Sequence, residues 1–125
     1  MAAEKFFRAS GEVWSAAGAI LTVKRAFANI AAATTDGAIV AAVASKKIRV
    51  LYLREQCGAV ATTIVYNSKP AGAGTAISST HLNQANEKTI EESDHGLFET
   101  VSGEGLSATT GAGATTSVDV LYIET

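Results

Sequence analysis

From Ile20 onward the chain runs in short apolar or alternating stretches, broken by turn-forming residues about every 8 to 12 positions. That spacing predicts a β-sandwich or barrel. The candidate strands are ILTVKRAF (20–27), GAIVAAV (37–43), KKIRVLYLR (46–54), VATTIVYN (60–67), GTAISSTH (74–81), EKTIEE (87–92), LFET (97–100), GLSATT (105–110) and SVDVLYIE (117–124). These nine segments are one more than a jelly roll needs. The stretches between them, such as TTDG (34–37), SKPAGAG (68–74), SDHG (93–96) and SGEG (102–105), hold the Gly, Asn, Asp and Pro that tolerate turn geometry. The alanine-rich stretch 26–43 has helical propensity. Thr34, Thr35, Asp36 and Gly37 interrupt it and Ile39, Val40 and Val43 favour extended backbone, so it reads as strand, turn, strand.

Three strands carry the strongest pattern. In KKIRVLYLR, strict alternation sets Ile48, Val50 and Tyr52 on one face against Arg49, Leu51 and Leu53 on the other. Val118, Val120 and Tyr122 oppose Asp119, Leu121 and Ile123, and Val60, Thr62, Ile64 and Tyr66 oppose Ala61, Thr63 and Val65. A two-layer sandwich buries only one face of each strand, so apolar residues on both faces call for a second cover, from the N-terminal residues or from another subunit. The first nineteen residues read differently. They hold Phe6, Phe7 and Trp14 without a period of two, and form an arm preceding a sandwich domain at 20–125. Side chains this apolar are expected to bury against the body or a partner; a short helix from about Ala3 to Ser10 is the alternative.

Composition agrees with a folded all-β module: 47% hydrophobic, 18% charged, one proline and eleven glycines in 125 residues. One domain fits that length. No apolar run reaches the 18 or so residues of a membrane-spanning helix, and the first residues lack the order of a secretory signal. Synthesis in the cytoplasm and no membrane partner are the expectations. The net charge of −2 gives no concentrated basic field for nucleic acid. Its distribution is uneven: residues 1–54 carry eight basic against three acidic side chains, and residues 55–125 two against nine. Such a division could place complementary patches at subunit contacts.

Chemistry is sparse. AGAGT (71–75) and TGAGATT (110–116) lack the lysine of a phosphate-binding loop. Cys57, His81 and His95 are too few and too scattered for a zinc site, and the single cysteine reads as a buried apolar residue. Ser93, Asp94 and His95 are adjacent, whereas a catalytic triad is assembled from distant segments, so SDHG reads as a turn. Glu87, Glu91, Glu92, Glu99 and Glu104 read as a solvated acidic edge. Neither an enzyme nor a cofactor or metal site is expected, nor a small-molecule ligand.

KKIRVLYLREQCGAVATTIVY, GTAISSTHLNQANEKTIEE and HGLFETVSGEGLSATTGAGATTSVDVLYIE together resemble, element for element, small β-sandwich proteins encoded among bacteriophage structural genes. The resemblance covers roughly residues 37–125; Leu97 stands where an aromatic is common, and the polar loop after Ser79 is longer and more charged. It implies a jelly-roll-like sandwich of about eight strands with an extended N-terminal arm, serving as a decoration or cement protein on the outer surface of a phage head. The expected partners are the phage major capsid protein and further copies of the chain, with a homotrimer favoured over a homodimer. Phe6, Phe7, Arg8 and Trp14 are the expected partner-binding residues. The competing reading is a glycan- or receptor-binding module of a head fibre or tail.

Overall fold

The computed structural model describes the backbone of residues 12–14 and all of residues 20–125. Phe6, Phe7 and Arg8, and the side chain of Trp14, lie outside the described residues. Those described form strands and turns with no helix. A short strand β1 (Glu12–Trp14) pairs antiparallel with β2 (Ile20–Thr22), across the boundary expected at residue 19. There follow β3 (Lys24–Ile30), β4 (Gly37–Val40), β5 (Ile48–Cys57), β6 (Thr62–Lys69), β7 (Thr75–Ala76), β8 (His81–Asn83), β9 (Lys88–Glu92), β10 (Phe98–Glu99), β11 (Gly105–Thr110) and β12 (Thr116–Glu124).

Two antiparallel sheets face each other. One runs β3-β12-β5, with β9 and β10 sharing the place beyond β5; the other runs β4-β11-β6, with β7 and β8 sharing the place beyond β6. Counting each shared place once leaves eight positions in the orders 1-8-3-6 and 2-7-4-5, which is a jelly roll. The ninth candidate strand is thereby accounted for. EKTIEE and LFET both line β5, the first opposite Tyr52–Gln56 and the second opposite Arg49 and Val50. GTAISSTH is split: Tyr66 N donates to Ser78 Oγ, and this side-chain bond carries the ladder across the gap between β7 and β8.

The inward rows fill one core. Ile48, Val50 and Leu53 of β5, Val118, Val120 and Tyr122 of β12, Ile64 and Tyr66 of β6, and Leu106 and Ala108 of β11 are all buried in it, with Ile30 and Val40 at the side where the chain crosses between sheets. The Tyr66 ring stacks on Phe98 with centroids 5.1 Å apart. Burial of β-branched and aliphatic side chains at about 25 cal/mol per Å² is the main stabilising term, and the small residues Ala26, Ala28 and Ala108 let the layers approach.

A β-bulge corrects one expectation. Leu121 pairs with Tyr52, but Tyr122 pairs with Val50, so Leu51 is an extra residue in β5. The insertion shifts the phase of the strand: Ile48, Val50, Leu53, Glu55 and Cys57 face the core, and Arg49, Tyr52, Arg54 and Gln56 face outward. The outer row of β5 is therefore more polar than strict alternation predicted. For β12 the row Val118, Val120 and Tyr122 is buried as expected; for β6 Thr62, Ile64 and Tyr66 are, but Val60 precedes the strand and is exposed.

The TTDG turn does more than reverse the chain. Asp36 Oδ2 accepts from Gly74 N at 3.0 Å, and Oδ1 accepts from Asn67 Nδ2 at 3.0 Å and Ser107 Oγ at 3.2 Å. One carboxylate thus ties the β3–β4 turn to β6, β11 and the loop before β7. A side chain at position 74 would collide with Asp36, whose Oδ1 lies within 2.4 Å of where a Cβ would stand. The Gly74 amide bond, offset by burial and helped by Ser107, Lys69 and Asn67, holds the Asp36 carboxyl below its ordinary value of 3.8. A depressed folded pKa means the native state binds fewer protons than the unfolded chain, so this contribution is present above about pH 4 and is lost as pH falls through the lower folded value. Denaturant midpoints measured from about pH 5 to pH 2 should fall, and Asp36→Asn should flatten that fall while lowering stability at neutral pH by about 1–3 kcal/mol. An unchanged acid profile in the variant would contradict the assignment.

Candidate interaction surface

The outer face of the β3-β12-β5-β9 sheet is a grid whose rows follow from register. Arg25, Leu121, Tyr52 and Glu92 form one row; Phe27, Asp119, Arg54 and Ile90 the next; Asn29, Ser117, Gln56 and Lys88 the third. Asp119 organises its centre. Its Oδ1 accepts from Arg25 Nη2 and its Oδ2 from Arg54 Nη1, each at 2.8 Å, while Arg54 Nη2 reaches Gln56 Oε1 at 3.0 Å. The Arg25 bond, partly opposed by desolvation and reinforced by Arg54, keeps the Asp119 carboxyl below its usual range. The Arg25 guanidinium also lies 6.0 Å from the centroid of the Phe27 ring. A shallow depression lined by Arg25, Tyr52, Arg54, Asp119 and Leu121 opens here.

Apolar exposure lies at the two margins of this face. Phe27 on β3 is 71% exposed and Ile90 on β9 is 51% exposed. Leu82 on β8 of the other sheet is exposed to a similar degree, at 62%; what sets this face apart is that its two apolar side chains flank a fixed charged centre. The charge division read from the sequence has a spatial counterpart in this sheet: Lys24 and Arg25 stand on β3 at one margin, Glu91 and Glu92 on β9 at the other. Register alone makes this visible; the strand segments were legible in the sequence, but which strands form the margins was not.

A second cluster is internal. Glu55 is fully buried, its Oε1 accepting from the Tyr66 hydroxyl at 2.8 Å and lying 2.6 Å from His81 Nδ1, its Oε2 accepting from Asn83 Nδ2 at 2.8 Å. Asn83 Oδ1 in turn accepts from Thr89 Oγ1 at 3.1 Å. The cluster joins β5, β6, β8 and β9 at one end of the sandwich. Burial, followed by the nearby Glu55 charge, pushes the Tyr66 hydroxyl well above its ordinary range, which keeps it a donor. Glu55 was not singled out from the sequence, although it shares the parity of Leu53 and Cys57, an acid in an apolar row.

The other candidate groups are dispersed. Ser93, Asp94 and His95 form the β9–β10 turn, where His95 N donates to Ser93 Oγ at 3.2 Å and Gly96 adopts a φ of +100°. Glu99 pairs with Lys47 and Arg49, Glu104 accepts from Ser68 Oγ, and Glu87 accepts from Gln84 N. Among the described residues no three of His, Cys, Asp and Glu converge as metal ligands would. Tyr66 and Tyr122 are core residues, leaving Tyr52 half-buried on the outer face.

The fold and this surface define an all-β jelly-roll module with a polar-centred, apolar-margined sheet face. No protein-family model and no curated protein sequence matches the chain. Among solved structures it is similar to a chain from the Bacillus endospore appendages described as a family of disulfide-linked pili, at 18% identity and a TM-score of 0.50, covering 83% of this chain and 86% of that one. Looser likenesses are to the virus-like particle of the Macrobrachium rosenbergii extra small virus and to the T13 IBDV viral particle. The first has 9% identity, a TM-score of 0.36 and coverage of 82% of this chain and 79% of that one; the second has 10%, 0.37 and coverage of 80% and 31%. At these identities the likeness is one of fold, and the two looser matches add nothing to the assignment.

The buried cluster generates a stability prediction. Glu55→Ala removes the acceptor of three groups and leaves the Tyr66 hydroxyl and the Asn83 amide unpartnered, at a cost of roughly 3–5 kcal/mol. Tyr66→Phe removes one donor and should cost about 1–2 kcal/mol. Chemical denaturation checks both; a Glu55→Ala loss below that of Tyr66→Phe would show that the carboxylate is not the hub.

Proposed function

We propose that this chain is a structural virion protein, a decoration or cement protein that binds the outer surface of a phage head and stabilises the lattice of the major capsid protein. The observation that carries the reading is the outer sheet face, with Phe27 and Ile90 left in water at its margins and Arg25, Asp119 and Arg54 fixed between them. Exposed apolar side chains beside hydrogen-bonded charges offer a partner both apolar area to cover and fixed charge to match. The resemblance to phage structural sandwiches supplies the particle; Phe6, Phe7, Arg8 and Trp14 supply the docking arm.

The likeness to the endospore-appendage chain favours a second reading, a subunit of a protein filament. Cys57 weighs on how such a filament would be held. It is the one cysteine of the sequence, it is buried, and its thiol donates to the Val60 carbonyl at 3.1 Å. A disulfide needs two sulfurs about 2 Å apart, so linkage through Cys57 would require the end of β5 to open. The filament reading is therefore one of non-covalent assembly.

Gold-labelled antibody against the purified chain, applied to native particles under the electron microscope, separates the two. Label spread over capsids supports the decoration reading, label along filaments replaces it with the second, and label on neither overturns both. Removing residues 1–14 should abolish capsid binding; retained binding would take the arm out of the interface.

A further inference from the structure

A sheet that ends in two open edges presents unpaired backbone donors and acceptors along both, and such edges recruit further strands unless they are covered or charged against it. In the β3-β12-β5-β9 sheet, no strand among the described residues pairs with the outer edge of β3 or of β9. These two edges differ from each other and fit each other. We infer that the chain associates with further copies of itself edge to edge, β9 of one copy adding to β3 of the next so that the sheet continues from copy to copy.

Three observations carry this. The first is direction: successive strands of the sheet are antiparallel, so β3 and β9 run in opposite senses, and copies placed side by side in one orientation set them antiparallel across the joint. The second is phase. In an antiparallel row, hydrogen-bonded and non-hydrogen-bonded pairs alternate from strand to strand. Each copy contributes four strands to the row, an even number, so residues of β3 whose amides point out of the sheet meet residues of β9 whose amides also point out.

The third is side-chain matching. Extending the rows across the joint brings Glu92 opposite Arg25 of the next copy, Ile90 opposite Phe27 and Lys88 opposite Asn29. The two large apolar side chains exposed on this face thus cover each other, flanked by an opposite-charge pair; both kinds of cross-strand pair stabilise a sheet. On the other face Glu91 falls opposite Ala26, diagonal to Lys24. A β3-to-β3 pairing centred on Phe27 would set Arg25 opposite Asn29 and leave Ile90 and Glu92 of β9 uncovered.

The contact is heterologous, since the two patches differ, and it closes into a ring or continues as a fibre according to the rotation between copies. Four strands advance the sheet by about 19 Å at about 4.8 Å each, and twist it by roughly 80–100°. The ladder is only the five residues Lys88–Glu92 long, below the size of a tight interface, so association depends on concentration. The inference concerns the chain alone and holds or fails whichever particle it decorates.

The test uses sedimentation of the full chain over a rising concentration series, with Phe27→Lys blocking one edge and Ile90→Lys the other. Both positions are solvent-exposed, and circular dichroism confirms folding of each variant. The parent should form species larger than a dimer, and each variant alone should lose association by at least about tenfold. An equimolar mixture of the two retains one matched joint, native Ile90 against native Phe27, and should yield a capped one-to-one dimer and nothing larger. A variant that assembles like the parent, or a mixture that behaves as its separate components, overturns the inference. If either lysine variant misfolds, Arg25→Glu and Glu92→Arg replace them: each alone should weaken association and the two together in one chain should restore it, whereas no restoration counts against the joint.

Discussion

The ladder between β5 and β12 is the contact on which the rest of the sandwich depends. It is the longest among the described residues, running from Thr116 opposite Cys57 to Glu124 opposite Ile48. It sits at the centre of its sheet and supplies six of the buried core residues, Ile48, Val50, Leu53, Val118, Val120 and Tyr122. These strands are far apart in sequence, so the chain must close a long loop before either row is buried, a cost that the shared apolar burial has to exceed. The bulge at Leu51 is what lets both ends of β5 present apolar residues inward while the strand bends with the twist of the sheet.

Strand segments were legible because alternation and turn chemistry are local. GLSATT and SVDVLYIE became β11 and β12 to within one residue, while KKIRVLYLR and VATTIVYN became β5 and β6 with both ends shifted two or three residues toward the C-terminus. What stayed hidden needed partners. The pairing of both EKTIEE and LFET with β5 is a tertiary fact, as is the bond from Tyr66 N to Ser78 Oγ that splits GTAISSTH into two short strands. The bulge shows the limit most directly: inserting Leu51 moved Tyr52 outward and Leu53 inward, and no periodicity in the sequence marks an insertion of one residue. Glu55 is intermediate. Its parity with Leu53 and Cys57 announces a buried acid, but the donors that make it tolerable, Tyr66, His81 and Asn83, arrive from β6 and β8.

Two buried or half-buried carboxylates serve as fasteners rather than as reagents. Asp36 gathers the turn and loops on the outside of one sheet, and Glu55 gathers four strands at an end of the core. Each is surrounded by donors, the arrangement that lets a carboxylate remain inside a protein and specify one geometry. The outer face of the other sheet is organised the same way by Asp119, but with apolar side chains left uncovered beside it. The β4-β11-β6 sheet also leaves an apolar side chain in water, Leu82 on β8, but among the described residues no carboxylate-centred ion-pair grid stands beside it.

Functionally, the property at issue is one sheet whose two edge strands, β3 and β9, pair with no further strand among the described residues and differ in side chains. Copies joined as inferred form a repeating unit, and either a coat or a filament can be assembled from such a unit. Amide hydrogen exchange followed by mass spectrometry, compared between the dilute chain and its assembled form, tests that property most directly. The account predicts that Lys24–Ile30 and Lys88–Glu92 gain protection together on assembly while the β5–β12 ladder, already protected, does not change. Assembly that leaves either segment exchanging as in the dilute chain would contradict it.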